Sequence, residues 1–144
     1  MKRYASLLLA AGLLLSAAPP QQREPAGSLD GTWTMVRGEQ DGKPLADDVV
    51  HAARLTIVGN KHNVKVGEET FVGTHRLDQR RRPKTIDAMD TEGTLKGKTS
   101  LGIYELEGDE FTVCFAAPGK DRPTKFTTKS GTGTMLHVWK RQKE

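Results

Sequence analysis

The chain has 144 residues, of which 35% are hydrophobic, and a formal net charge of +4 at pH 7. This length predicts one domain with a core of its own. The single cysteine, Cys114, excludes an internal disulfide. Its place among apolar residues of a predicted strand favours burial of a small hydrophobic side chain over a covalent dimer.

The first 18 residues have the layout of a secretory signal peptide. Lys2 and Arg3 precede an apolar run that ends in small residues at 16–18. Because the run is shorter than the about 20 apolar residues that a membrane span needs, we expect its removal on export to the periplasm or the cell exterior, without stable membrane insertion. Residues 19–28 hold three prolines and are predicted to be a flexible tether, which leaves 29–142 as the folded domain.

Short alternating segments broken by glycine dominate the chain from Gly31 onward. They are rich in β-branched and aromatic residues, which is typical of strands with one buried face. The predicted strands lie near residues 31–38, 53–59, 62–66, 70–78, 84–89, 99–106, 110–116 and 134–141. Eight short strands in succession predict an all-β fold, an antiparallel up-and-down barrel. One short helix is expected at 45–53, after the first strand, where Pro44 and two aspartates suit a helix start.

Strand alternation assigns side chains to the barrel interior. The predicted inward set is Leu55, Ile57, Val64, Val66, Phe71, Leu77, Ile86, Phe111, Val113, Phe115, Leu136 and Val138. Between residues 101 and 106 the alternation does not decide which side chains face inward, since the neighbours Ile103 and Tyr104 both look buried. A bulge in this strand would explain the burial of both. We expect a cavity away from Trp33 that is lined by Phe71, His75 and Val113, with His75 as the polar anchor of an otherwise apolar pocket.

Five motifs in order carry a resemblance to a known family. They are LDGTW at 29–33, DGKPL at 41–45, PKTID at 83–87, LGIYEL at 101–106 and APGKDRP at 117–123. The series, which covers essentially the whole domain, resembles an uncharacterised lipocalin-like domain family that is expanded in planctomycete bacteria. The resemblance implies a calycin-type barrel, commonly exported, with no assigned activity.

The first motif is similar to the glycine-x-tryptophan of lipocalins. In that family the indole plugs the closed end of the barrel under a basic residue of the last strand. The resemblance therefore implies structural roles for Gly31 and Trp33, with Arg141 covering the indole and Lys140 as the alternative.

No catalytic or cofactor motif is recognisable in the sequence. The four histidines, His51, His62, His75 and His137, lack the spacing of a metal site, and for His75 a hydrogen-bonded core position is the alternative to a ligand contact. The aspartates at 87 and 90 form no assignable carboxylate pair, and no serine, histidine and aspartate signature is present. We therefore expect a protein without enzymatic activity, cofactor or metal.

Arg80, Arg81, Arg82 and Lys84 form the only charge run. It is confined to one predicted turn and has no aromatic neighbour, which argues against a nucleic-acid partner. We interpret it as a solvated turn that protects a sheet edge, with attachment to an anionic cell surface as the alternative.

Two functions are consistent with these features. The first is an exported lipocalin-like protein that binds a small apolar ligand, for which long-chain fatty acids are suitable probes. The second is a module with a filled barrel that contacts another extracytoplasmic protein through the long irregular segment 117–133. The modest size of the inward side chains favours a partial cavity.

Overall fold

The computed structural model describes residues 27–143. Its elements are β1 (Gly31–Gln40), β2 (Lys43–Pro44), α1 (Asp47–Ala52), β3 (Arg54–Val58), β4 (Lys61–Val66), β5 (Glu69–Asp78), β6 (Lys84–Gly93), β7 (Thr99–Glu107), β8 (Glu110–Phe115) and β9 (Met135–Arg141). The predicted signal peptide, 1–18, and most of the predicted tether lie outside the described residues. In the described part of the chain, no helix has the length and apolar character needed to cross a membrane.

Eight of these strands form a closed antiparallel barrel. From β3 to β9 each strand pairs with the next along the chain, and β1 pairs with both β3 and β9 and so closes the sheet. The two-residue strand β2 only extends the end of β1 as a hairpin. The predicted up-and-down barrel is therefore confirmed, and α1 is the predicted short helix after the first strand.

An aromatic stack lies inside the end of the barrel where β1 begins. Trp33 is fully buried, and its indole N–H donates a hydrogen bond to the Leu29 carbonyl at 3.0 Å. The Trp33 ring centroid lies 5.6 Å from that of Phe111, which in turn lies 6.0 Å from that of Tyr104. Such tilted and edge-on pairs add to the stability from apolar burial. This end of the barrel is accordingly solid.

Arg141 lies over the outer side of Trp33. Its guanidinium carbon is 4.3 Å from the indole centroid, within the range of a cation–π contact. The same guanidinium donates to the Ser28 carbonyl at 2.8 Å and to the Asp30 carbonyl. A Cβ at Gly31 would lie 3.3 Å from Arg141 Nη1, so the glycine leaves room for this side chain. Gly31, Trp33 and Arg141 thus meet as the lipocalin resemblance implies.

The irregular segment between β8 and β9 covers the outer face of the adjacent strands. Ile103, Cys114 and Leu136 form a second apolar cluster there, packed against Phe126 of the segment. Ile103 and Tyr104 are both 1% exposed because β7 is covered on its outer face as well as its inner one. The register of β7 with β6 and with β8 is continuous. The bulge proposed for this strand is therefore wrong.

The side chains of β9 that face the interior are the alternate set from the predicted one. Met135, His137 and Trp139 line the interior, whereas Leu136 belongs to the outer cluster and Val138 shares its side of the strand. The prediction that Leu136 and Val138 face inward is wrong. Its cause is the covering segment, which buries the outer face of β9 and removes the polar alternation that would reveal it.

Arg122 fastens the covering segment to the barrel wall. Its guanidinium donates to the carbonyls of Ile86 and Gly102 at 3.2 and 2.7 Å, and it pairs with Asp87 at 2.6 Å. Asp87 therefore has a structural partner on the outside of the barrel.

The arginine run lies in the exposed turn between β5 and β6. Arg80 and Arg81 pair with Asp78 at 3.3 and 3.5 Å, and the Arg82 guanidinium donates to the Gln79 carbonyl at 2.8 Å. Both β5 and β6 have a partner strand on each side in the closed barrel. The turn therefore protects no sheet edge, and that part of the interpretation is wrong.

Candidate functional site

The barrel encloses a cavity of about 250 Å³. Its apolar lining includes Leu55, Ile57, Phe71, Ile86, Phe111, Val113 and Trp139. The three residues predicted to line a pocket, Phe71, His75 and Val113, all do so. Trp33 is not among the lining residues, but Phe111, which packs against it, is. The cavity therefore begins beyond the aromatic stack.

The other end of the cavity is bounded by strand ends and loops. The residues there include Gln40, Glu69, Thr94, Leu95, Ala117, Pro118 and Gly133. All of them lie where β1, β6 and β8 end or where β5 and β9 begin. This rim is at the opposite end of the barrel from Trp33, which follows from the up-and-down order of the strands.

His62, His75 and Asp90 form a buried polar chain, here called the polar trio. His62 Nδ1 lies 3.1 Å from His75 Nδ1, and His62 Nε2 lies 2.8 Å from Asp90 Oδ1. The three residues are at most 8% exposed and all line the cavity. The trio was not predicted, because its members are far apart in the sequence and lack the spacing of a metal site.

Gly73 makes the trio possible. On β5 it pairs with His62 of β4 on one side and with Asp90 of β6 on the other. His62, Gly73 and Asp90 therefore form one row across the sheet. A Cβ at Gly73 would lie 2.0 Å from the Met89 carbonyl oxygen and 2.7 Å from the Asp90 Cα. Glycine here permits both the close approach of β6 and the passage of the His62 side chain to Asp90.

Two further buried polar side chains line the cavity. Ser100 of β7 lies in a row with Ala88 and His75, and His137 of β9 packs edge-on against Trp139 with ring centroids 5.6 Å apart. Both side chains are at most 6% exposed and line the cavity. They add polar groups to the cavity wall.

Burial keeps two of the cavity histidines neutral. It lowers the pKa of His75 from 6.5 to about 4, an effect that neighbouring His62 increases and the Gly59 carbonyl opposes. Burial alone lowers the pKa of His137 to about 4. His75 Nε2 is fully enclosed and has no hydrogen-bond partner among the described residues.

The charged side chains that line the cavity are acidic, although the chain as a whole has a net positive charge. None of the lysines and arginines in the described part of the chain lines it, whereas two carboxylates, Glu69 and Asp90, do. Among residues 27–143, no group of three histidine, cysteine or acidic side chains is arranged to hold a metal ion. The arrangement therefore offers hydrogen bonds to a ligand and lacks a cationic side chain to receive an anion.

No protein-family model matches the chain, and neither a curated protein nor a solved structure matches it.

Proposed function

We propose that the barrel binds a small, mostly apolar molecule in its interior. The observation that carries the proposal is the cavity of about 250 Å³ with an apolar lining and a few buried polar side chains. An apolar cavity of about 150 Å³ is enough to bind benzene. By proportion, this cavity suits a compact ligand of roughly ten to twelve non-hydrogen atoms, smaller than the long-chain fatty acids expected from the sequence.

The partly empty interior counts against the alternative of an interaction module with a filled barrel. The segment that would make the contact, 117–133, uses Phe126 and Arg122 to hold the barrel wall. The Phe126 side chain is therefore packed against the barrel, which supports a structural role for the segment.

A tryptophan placed in the cavity tests the proposal. We expect 2-methylnaphthalene to bind the wild-type protein in a fluorescence titration. Val113→Trp should abolish binding while the domain stays folded, because the indole fills the space. Val58→Trp is the matched control, since Val58 is 68% exposed on β3, and it should bind the probe normally. If no probe binds and Val113→Trp destabilises the fold by the about 1 to 3 kcal/mol of overpacking, the interior is solid and the proposal fails.

We also propose that the protein acts outside the cytoplasm. The support is the charge order and short apolar run of residues 1–18. N-terminal sequencing of the exported protein should place its first residue between about Ala17 and Gly27. Recovery of the full-length chain in the membrane fraction would contradict this.

A further inference from the structure

Glu69 places a carboxylate at the mouth of the cavity. It is the first residue of β5 and lies on the same face of the strand as Phe71. Glu69 lines the cavity, is partly buried, and takes part in none of the ion pairs among residues 27–143. Its neighbour Glu68 is exposed in the β4–β5 turn and does not line the cavity. Among the described residues that line the mouth, Glu69 is therefore the charged one.

The cavity wall behind Glu69 is rich in aromatic rings. Three of the four phenylalanines of the chain, Phe71, Phe111 and Phe115, line the cavity together with Trp139. Phe115 is the last residue of β8 and so lies at the mouth as well. The face of an aromatic ring carries partial negative charge and attracts cations. An aromatic wall with a carboxylate at its entrance is therefore suited to a cation that has an apolar body.

The cavity wall has no lysine or arginine to balance an anion. Its acidic lining residues are Glu69 and Asp90, and no lysine or arginine of residues 27–143 lines it. Asp90 lies deeper, in the row of Gly73, and contacts His62. An anionic ligand would bring a further negative charge to this wall, which is costly in apolar surroundings. A cationic ligand would instead meet charge of the opposite sign at Glu69.

The position of Glu69 limits how much of a ligand's charge would be buried. A cationic group beside Glu69 stays at the open end of the barrel, where it keeps part of its hydration. The apolar body of the same ligand would extend past Phe71 towards Val113. The large cost of transferring a charge into an apolar interior is therefore avoided.

We propose that the ligand is a compact organic cation, an apolar amine whose ammonium group lies between the Glu69 carboxylate and the Phe71 ring at the mouth of the cavity. This inference rests on the proposed function, because it names the chemical class of the ligand in the same cavity. The ammonium group donates hydrogen bonds to Glu69, and the apolar body contacts Phe111 and Val113 further inside.

Four probes with one carbon skeleton test the proposal on the full chain at pH 7. They are 2-naphthylmethylamine, which is an ammonium at this pH, 2-naphthylmethanol, 2-methylnaphthalene and 2-naphthoate. The amine should bind about tenfold tighter than the hydrocarbon, and tighter than the alcohol, because it adds an ion pair and a cation–π contact. The carboxylate should bind most weakly. Raising the ionic strength to about 1 M, where the Debye length is about 3 Å, should reduce the advantage of the amine.

Substitutions at the mouth give the second half of the test, with the ratio of amine to hydrocarbon affinity as the readout. Glu69→Gln should reduce this ratio to about threefold or less, because the ion pair is lost and the cation–π contact stays. Glu68→Gln is the matched control, since it removes the same charge from the neighbouring exposed position, and it should leave the ratio unchanged. Phe71→Leu, which keeps an apolar contact, should lower the ratio by about threefold.

Other results overturn defined parts of the interpretation. If the alcohol or the hydrocarbon binds as tightly as the amine, the cation assignment is wrong and the proposed function still stands. Tightest binding of the carboxylate would overturn the assignment in the same way. Equal effects of Glu69→Gln and Glu68→Gln would show attraction by the general charge of the turn and overturn the contact with Glu69. If none of the four probes binds, the proposed function falls with it.

Discussion

His62 Nε2 lies 2.8 Å from Asp90 Oδ1, although β5 separates their strands in the sheet. The contact is made over Gly73, the one position in the row between them. A side chain at Gly73 would lie between His62 and Asp90. The contact between these two polar groups therefore depends on a residue that has no functional group of its own.

Gly73→Ala should lower the free energy of unfolding by at least about 2 kcal/mol, on the scale of an overpacked core. The new methyl group would lie 2.0 Å from the Met89 carbonyl oxygen, which cannot rotate away. Urea unfolding measures the loss. Gly108→Ala is the control, because its φ of 58° is left-handed but nothing lies within 4 Å, and it should cost about 1 kcal/mol. Equal losses in the two variants would contradict the close approach.

Trp33→Ala should destabilise the barrel by about 3 to 5 kcal/mol, because the indole is fully buried between Phe111 and Arg141. Thermal or urea unfolding provides the value. Val36→Ala, on the same strand but 50% exposed, should change stability by less than about 0.5 kcal/mol. A loss below about 1 kcal/mol for Trp33→Ala would show that the aromatic stack does not hold this end of the barrel.

Stability should fall as the pH is lowered from about 6.5 to about 4. In this window unfolded histidines bind protons, whereas folded His75 and His137, with pKa values lowered to about 4, do not. Each of the two should account for about 3 kcal/mol across the window, and neither changes the stability above it.

Urea unfolding at several pH values measures this dependence. His137→Leu should remove a large part of the loss on acidification, whereas His51→Leu, at an exposed position on α1, should leave it unchanged. Identical pH profiles for the two variants would contradict the burial of a neutral His137.

The Cys114 thiol should resist alkylation in the native protein. It is fully buried under the covering segment, 3.6 Å from the Thr127 carbonyl, and burial raises its pKa to about 11. Only the thiolate reacts, so modification by iodoacetamide at pH 8 should be slow until urea unfolds the chain.

Phe126→Ala should accelerate the reaction of Cys114, because Phe126 packs on the cluster that contains it. Val58→Ala, at an exposed position on β3, which pairs with none of β7, β8 and β9, should leave the rate unchanged. Fast alkylation of the wild-type protein would show that the covering segment opens freely.

The strands and the helix could be predicted because each has a local signal in the sequence. Alternation and glycine turns identify the eight barrel strands to within a few residues, and Pro44 with the following aspartates indicates α1. The same alternation assigns Phe71, His75 and Val113 to the interior.

The polar trio could not be predicted, since it depends on register. His62, Gly73 and Asp90 are far apart in sequence and meet only when β4, β5 and β6 pair at one particular offset. A shift of one residue would send their side chains to opposite faces. A glycine in an inward position of β5 was the available signal, because it marks a place where other groups approach closely.

The segment that covers β7 to β9 gives the barrel a thick wall and a thin wall. The backbone of the thick wall has apolar groups on both sides, around Ile103 and Cys114, whereas alternate residues of β3 and β4 face water. Exchange of amide hydrogens with solvent requires local opening, which is rarest where contacts are densest. We therefore expect the barrel to open first at β3 and β4, the side that carries His62, while β7 to β9 stay closed. Amide hydrogens of β3 and β4 should then be the first to exchange for deuterium.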